Sequence, residues 1–216
     1  MQKVVILGGG GHAGVVLDVL RLQGFDVIGF LDQDKTKADL DGIPRIGGDE
    51  PVILADFPLA EVKLVNGFGS IGDNRLRKSR FLGWKKLGYE FLPIHHPSAN
   101  IAKNTALGEG AQIMAGAVIQ PGSTILENAV VNTAAVVDHG CCIGRHAHVA
   151  TGAVLSGDVH VGDDAHVGAG AIVLQGVQIG EGSIVGIGSV VVRDVPARTR
   201  VMGIPAHKKS KRIDLS

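Results

Sequence analysis

The sequence predicts a chain of two parts, a Rossmann-like α/β nucleotide-binding unit over residues 1–96 followed by a three-sided parallel β-solenoid over residues 97–216. Two observations carry this reading. From Ile101 to Pro196 the chain divides into sixteen hexapeptides in a single register, each opening on an aliphatic residue. Ahead of them, an apolar run, four glycines, an amphipathic stretch and a second apolar run follow one another as strand, turn, helix and strand.

The first strand is Val4 to Leu7. It runs into Gly8, Gly9, Gly10 and Gly11, and then into His12 and Ala13, so that Gly8, Gly10 and Ala13 spell the fingerprint G-x-G-x-x-A. Glycines allow the backbone to approach a phosphate, and the amides of the following helix favour negative charge. Val15 to Leu20 supplies an apolar helix face, and Val27 to Leu31 a second strand ending in Asp32. Asp32 is placed either to accept a hydrogen bond from a ribose or base, or to be a solvated turn residue. The fingerprint alone is also what a tightly packed glycine turn would show. Val62 to Val65 and Tyr89 to Ile94 are the remaining strand candidates, too few for a nicotinamide half-site. Gly72, Asp73, Asn74 and Arg75 open a helix that runs to about Leu87. Asp73 and Asn74 are candidate substrate contacts or simple helix caps.

In the second part, the opening residue of each hexapeptide is Ile, Leu or Val, and a small or β-branched residue stands four places later. A fixed short period marks a solenoid whose repeats bury their apolar side only against their neighbours. Three hexapeptides close one triangular coil, so residues eighteen apart stack at roughly 4.8 Å, the spacing of strands in a sheet. The aliphatic residue fills the interior and the small one lets the chain turn without overfilling it. The register is read as unbroken to Pro196, with no loop extruded from any coil.

Composition narrows the class further. Twenty-one Lys and Arg balance 21 Asp and Glu, which argues against an electrostatic grip on nucleic acid or an anionic membrane. No apolar run has the length of a spanning helix or the make-up of a signal peptide, so a cytoplasmic location is the default expectation. The two cysteines, Cys141 and Cys142, are adjacent and point to opposite faces of a strand, which suits neither a disulfide nor a thiolate metal site.

Five of the nine histidines fall inside the repeat. His139 is the third residue of its hexapeptide, outward at a corner, preceded by Asp138 and lying just after Asn132 and Thr133. An imidazole beside a carboxylate suits a general base, and equally a solvated turn. His148 and His166 are eighteen apart and stack on one edge, while His160 lies on another. Such stacking can hold a metal or arise from exposure alone. His146 reads as a solvated surface residue. The basic run from His207 to Arg212 reads as a solvated tail, with a coenzyme phosphate as the alternative partner.

Five motifs together span nearly the whole chain: Gly10, Gly11 and His12; residues 71–77 (IGDNRLR); residues 94–99 (IHHPSA); residues 132–144 (NTAAVVDHGCCIG); and residues 203–206 (GIPA). In these the chain resembles the hexapeptide-repeat sugar acyltransferases related to the sialic acid O-acetyltransferases. It is most similar to those N-acetylating nucleotide-linked 4-amino-4,6-dideoxy sugars in bacterial glycan synthesis. The resemblance implies a left-handed helix, a homotrimer, and acetyl-CoA lying in the groove between neighbouring prisms. It implies His139 as general base, His148 against the cofactor or its acetyl group, and Gly168 and Gly186 lining the pantetheine groove. It gives the nucleotide sugar to Gly10, Gly11, His12 and Asp32, with Asn132 as a further contact, and it implies no metal. Relatives carry an acid directly after the base, where this chain has Gly140, so Asp138 or a backbone carbonyl would have to take that part. The expected reaction is acetyl transfer from acetyl-CoA to the 4-amino group of a UDP- or GDP-linked sugar. O-acetylation of the sialic acid type, a metal-dependent hydrolase similar to the γ-carbonic anhydrases, and a non-catalytic sugar-binding scaffold are the alternatives.

Overall fold

The computed structural model describes residues 2–48, 61–70 and 72–208. Its first part is an α/β unit: β1 (Lys3–Leu7), α1 (Gly11–Leu22), β2 (Asp26–Leu31), β3 (Asp39–Leu40), β4 (Ile43–Gly47), β5 (Val62–Asn66) and α2 (Arg75–Lys86). The sheet order is β3-β4-β2-β1-β5, parallel except where β3 meets β4. The central strand β1 is a continuous aliphatic run, as expected of a strand covered on both faces, and Val4 to Leu7 are fully buried. The β3–β4 hairpin is an element the sequence reading passed over. Its signal is Asp41-Gly42, both at positive φ (49° and 81°), the pairing that two-residue hairpin turns demand.

Tyr89 to Ile94, expected as a strand of the first unit, makes only one parallel bridge there, Phe91 to Leu64. The chain then crosses to the solenoid, where β6 (Ile94–His95) pairs with Gln112–Ile113. His95 stands in the slot that an aliphatic residue fills in every later rung, which hides this rung from the periodicity.

The solenoid has three faces. The first opens with Asn100–Ile101 and holds six strands, the second opens with Ala106–Leu107 and holds five, and the third opens with Ile94–His95 and holds eight. Apart from the closing antiparallel pair of Val201–Met202 with His207–Lys208, pairing is parallel, with a step of eighteen as in Val118 to Val136 to Val154. Strands are two residues long, Arg200–Met202 apart; the second residue faces in, and Ile119, Val137, Leu155 and Val173 form the core with Ala117, Ala135, Ala153 and Ala171. From residue 110 to residue 188, every sixth residue has positive φ. Glycine holds most of these places, because a left-handed turn costs it nothing; Asn128, Ala134, His146, Asp158 and Asp164 hold the rest.

The register does not run unbroken to Pro196. Ile179 bridges Val195 and Ile184 pairs with Arg200, a step of sixteen in place of eighteen. The last coil is therefore two residues short. The Asp194 carboxylate accepts the Gln178 amide at 2.8 Å where a strand carbonyl would otherwise do so. Val195, read as a small-slot residue, serves as an interior aliphatic instead.

The outward residues give each face a different character. The first presents Val118, Val136, Val154, Ile172 and Val190; the second Thr124, Cys142, His160 and Gln178; the third Gln112, Val130, His148 and His166, covered by the α/β unit. One apolar cluster joins that unit to the prism through Ile94 and Met114. Among the described residues, no helix is long and apolar enough to cross a membrane.

Candidate active site

His139 stands at the corner between the first and second faces, exposed, with its ring lying over Gly157 of the next coil. A Cβ on Gly157 would come within 2.5 Å of the ring Nε2 and Cε1, so only glycine leaves room for the imidazole in this place. Asp138 does not pair with that ring: its Oδ1 accepts the backbone N–H of His139 at 2.7 Å. Gly140 is at φ +68°, and a side chain there would overlap the carboxylate of Asp158. The inward Cys141 is buried, its thiol pushed up by burial, and burial raises Cys142 as well. Neither is primed as a nucleophile.

The other candidate residues lie along the seam between the α/β unit and the third face. Asn132 Oδ1 accepts the Thr133 amide at 2.7 Å, so its Nδ2 is the group that faces His148 Nε2 at 3.2 Å. His148 Nε2 is therefore an acceptor, and Nδ1 carries the proton toward Ser70, 2.6 Å from its Oγ and 3.1 Å from its carbonyl. Burial, followed by the neighbouring His166, Arg77 and His12, pushes His148 down to about 3. Both nitrogens of His148 are engaged inside the chain, and its position fixes Asn132 and the loop at Ser70. His166 packs edge-on at 5.0 Å as the eighteen-residue step requires, and burial holds it neutral at about 4.

His12, at the start of α1, is hydrogen-bonded through Nε2 to Gln112 Oε1 at 2.8 Å, which ties the glycine turn to the third face. Burial, and then Arg77, push it down to about 4. Gln112 passes the link to Asn66 O at 2.7 Å. There the fully buried Arg77 donates to the carbonyls of Asn66, Phe68 and Asn128 at 3.1, 2.8 and 3.4 Å. His146, read from sequence as a solvated residue, is 5% exposed. Its Nδ1 meets Asn128 Nδ2 at 2.9 Å, its ring edge meets Phe81, and burial pushes it down to about 4. The reason is the stacking of Asn128, His146 and Asp164, eighteen apart, in a ladder on which α2 docks. Asn74 Nδ2 donates to His146 O and to Asp164 Oδ1 at 2.8 and 3.2 Å, and Lys78 pairs with Asp164. Asn74 is thus a docking residue, and its side chain does not cap α2. Asp73 is exposed and held by Arg75, whose hydrogen bonds pull its carboxyl down to about 2; it accepts the Arg75 amide at 3.0 Å, the capping role.

In the glycine turn, Gly8 and Gly9 are demanded by Phe68 and Phe30 packed against them, whereas a Cβ at Gly10 or Gly11 would meet open space. Those two glycines at the start of α1 leave room for a ligand. Asp32 is largely committed to the turn: Oδ2 accepts Gly9 N at 2.7 Å and Lys37 Nζ at 2.9 Å, and Oδ1 accepts Asp34 N at 2.9 Å. Burial alone would raise its pKa, but these bonds outweigh it and leave the carboxyl below its ordinary value. Gly168 and Gly186 lie at the corner between the third and first faces. A Cβ on Gly168 would be 2.7 Å from the backbone of the next coil and one on Gly186 would be 2.8 Å from Met202 Cβ, so coil stacking already requires glycine there.

One edge of the first face thus carries His139, and the other carries Asn132, Gly168 and Gly186. Sequence reasoning missed Ser70, Gln112, Arg77 and Asn128, whose partners are remote in sequence. It also missed Gly157 and Asp158, which the eighteen-residue step from His139 and Gly140 could have found. Among the described residues there is no group of three metal-ligating side chains. Lys209 to Arg212 of the basic tail lie outside the described residues.

A hexapeptide solenoid with an exposed corner histidine and an α/β unit docked on a flank defines a class, the hexapeptide-repeat acyltransferases. The PglD N-terminal domain family matches residues 3–82. A search of curated sequences finds no match. Among solved structures, PerB from Caulobacter crescentus in complex with CoA and GDP-perosamine is 40% identical, over 96% of this chain and 97% of that one, with a TM-score of 0.88. The acetyltransferase domain of PglB from Neisseria gonorrhoeae in complex with acetyl coenzyme A is 33% identical, over 96% and 99%, with a TM-score of 0.89. WeeI from Acinetobacter baumannii, at 24% identity and a TM-score of 0.81 over 97% and 100%, shares the fold. The chain belongs to the hexapeptide-repeat sugar acyltransferase family.

Proposed function

We propose that this protein transfers the acetyl group of acetyl-CoA to the 4-amino group of a GDP-linked 4-amino-4,6-dideoxy sugar of the perosamine type. The observation that carries the reading is the exposed imidazole of His139, seated on Gly157 and, among the described residues, unengaged by hydrogen bonds. The 40% identity to a GDP-perosamine N-acetyltransferase from Caulobacter crescentus supports the acceptor, and it favours GDP over UDP. His139 takes a proton as the sugar amine attacks the thioester carbonyl, a contribution of about 10²–10⁴-fold. The C–N bond forms, the C–S bond breaks, and the CoA thiolate leaves with a proton returned from the imidazolium. No acyl-enzyme is required. Residues 1–96, in a Rossmann-like unit, bind the nucleotide sugar at Gly10 and Gly11, with the turn braced by Asp32 and His12. Residues 97–216, wound left-handed, carry the acyl-transfer groups, with β6 stitching the two parts together.

The working form is a homotrimer in the cytoplasm, where acetyl-CoA is at hand. The unbroken aliphatic row Val118, Val136, Val154, Ile172 and Val190 supports packing by the first face, with Ile172 47% exposed in the single chain. Packing in rotation sets the His139 corner of one protomer against the Asn132, Gly168 and Gly186 corner of its neighbour. The cofactor lies in that cleft. A thiol-release assay with acetyl-CoA against GDP- and UDP-linked 4-amino sugars tests the reading. Turnover with the GDP sugar, abolished in His139→Ala, is the expected result; full turnover in that variant removes the base.

A further inference from the structure

We infer that Asp158, one coil above the base, is the positioning residue that orients the His139 imidazole and stabilises its charged form, a role that rests on His139 being the base. The geometry of two stacked turns points to it. Asp158 N donates to His139 O at 2.8 Å, which locks the turns together, and the imidazole lies across Gly157, the residue just before Asp158. The Asp158 carboxylate then extends over Gly140, the residue just after the base, into the space a side chain at 140 would need.

Its row on the prism is Gly122, Gly140, Asp158 and Gly176, all at positive φ, and Asp158 at 57° is the one side chain among them. It is exposed, and among the described residues its carboxylate has no hydrogen bond or ion pair. A non-glycine residue in a left-handed turn, with no structural partner, is free to serve a neighbour. The rest of the corner offers no rival. Asp138 holds its own turn through the His139 amide. The coil below contributes Gln120, Pro121 and Gly122, and the coil above Leu174, Gln175 and Gly176, so Asp138 and Asp158 are the charged side chains that these stacked turns bring to the corner. During transfer, the proton moves from the attacking nitrogen to His139 and on to the CoA thiolate. The Asp158 carboxylate takes no part in that proton transfer; its negative charge attracts the imidazolium that forms between the two steps.

Three variants of the full chain test this. Asp158→Asn should lower kcat about 10- to 100-fold, with both KM values within about two-fold of the parent. The midpoint of the ascending limb of its kcat/KM profile should move down by about one pH unit, because the carboxylate that favoured the charged ring is gone. The melting temperature should not change. Asp158→Gly should show the same loss, and Gly140→Asp in that background should restore at least ten-fold of it, since the carboxylate then rises from beside the base into the vacated space. Unchanged kcat and pH profile in Asp158→Asn would overturn the assignment. So would a loss confined to KM, a loss matched by a fall in melting temperature, or a double variant no better than Asp158→Gly. His139→Ala separates the two claims: if it is inactive while Asp158→Asn is normal, only Asp158 falls, and if it is active, the base itself falls.

Discussion

Gly157→Ala tests the chemistry at its narrowest point, because it adds one methyl group and should separate activity from stability. The backbone of Gly157 is not in the left-handed region, so alanine is conformationally acceptable there and trims the freedom of the unfolded chain. The new Cβ would lie 2.5 Å from Nε2 and Cε1 of His139. Non-bonded carbon contacts settle near 3.5–4.0 Å, so the ring must retreat by roughly 1 Å or more. His139 is exposed and can swing away, and the fold should change by no more than about 0.5 kcal/mol. Catalysis has no such latitude: a misplacement of about 1 Å costs on the order of 10²-fold. The assay is thiol release at saturating acetyl-CoA and sugar, run beside a thermal melt. A hundred-fold loss of kcat with an unmoved melting temperature is expected. Parental kcat in a folded Gly157→Ala protein would refute the reasoning, because the imidazole would then work from somewhere other than its seat on Gly157.

Stability should fall in mild acid. His12, His146, His148 and His166 are held neutral, down at about 4, 4, 3 and 4, against 6.5 in the unfolded chain. Below pH 6.5 the unfolded chain binds more protons than the folded one, so the stability present above that value drains away as the pH falls toward 4. Each histidine contributes on the order of 1 kcal/mol per pH unit; a melting temperature flat between pH 7 and 5 would contradict this. Arg77→Met removes the donor to three buried carbonyls and should cost about 2–4 kcal/mol in chemical denaturation, the lost cation offsetting part of the damage. An unchanged midpoint would mean that the seam does not depend on the guanidinium. Val154→Arg places a charge in the aliphatic row and should yield a folded, inactive monomer by light scattering, whereas an active trimer would move the protomer contact to another face.

The α/β part was legible wherever pattern is local. The glycine turn, β1, β2 and both helices follow from short-range spacing, and the Asp41-Gly42 hairpin was there to be read. The side chains of Tyr89 to Ile94 suit a strand in either part, and only the docking of β6 on Gln112–Ile113 chooses the prism. The same limit explains His146. Arg145 beside it is exposed, but the environment of His146 is made by Asn128 eighteen residues earlier and by Phe81 of α2. Asn74 and Asp73 are interchangeable candidates in the sequence, and the ladder on the prism edge gives them different work.

The hexapeptide period by itself determined the solenoid, the inward row and the corner position of His139, because in a stacked coil sequence separation is spatial separation. That holds while the step stays at eighteen, and it fails in the last coil, where sixteen residues close the turn. Only the tertiary structure decided which histidines are free. His12 Nε2, His146 Nδ1 and both nitrogens of His148 are engaged by Gln112, Asn128, Asn132 and Ser70, partners supplied where the α/β unit meets the third face, while His139 stands on a corner that unit does not cover. A side chain's protonation and reach depend on what surrounds it in space, and those surroundings come from segments that the local sequence does not contain.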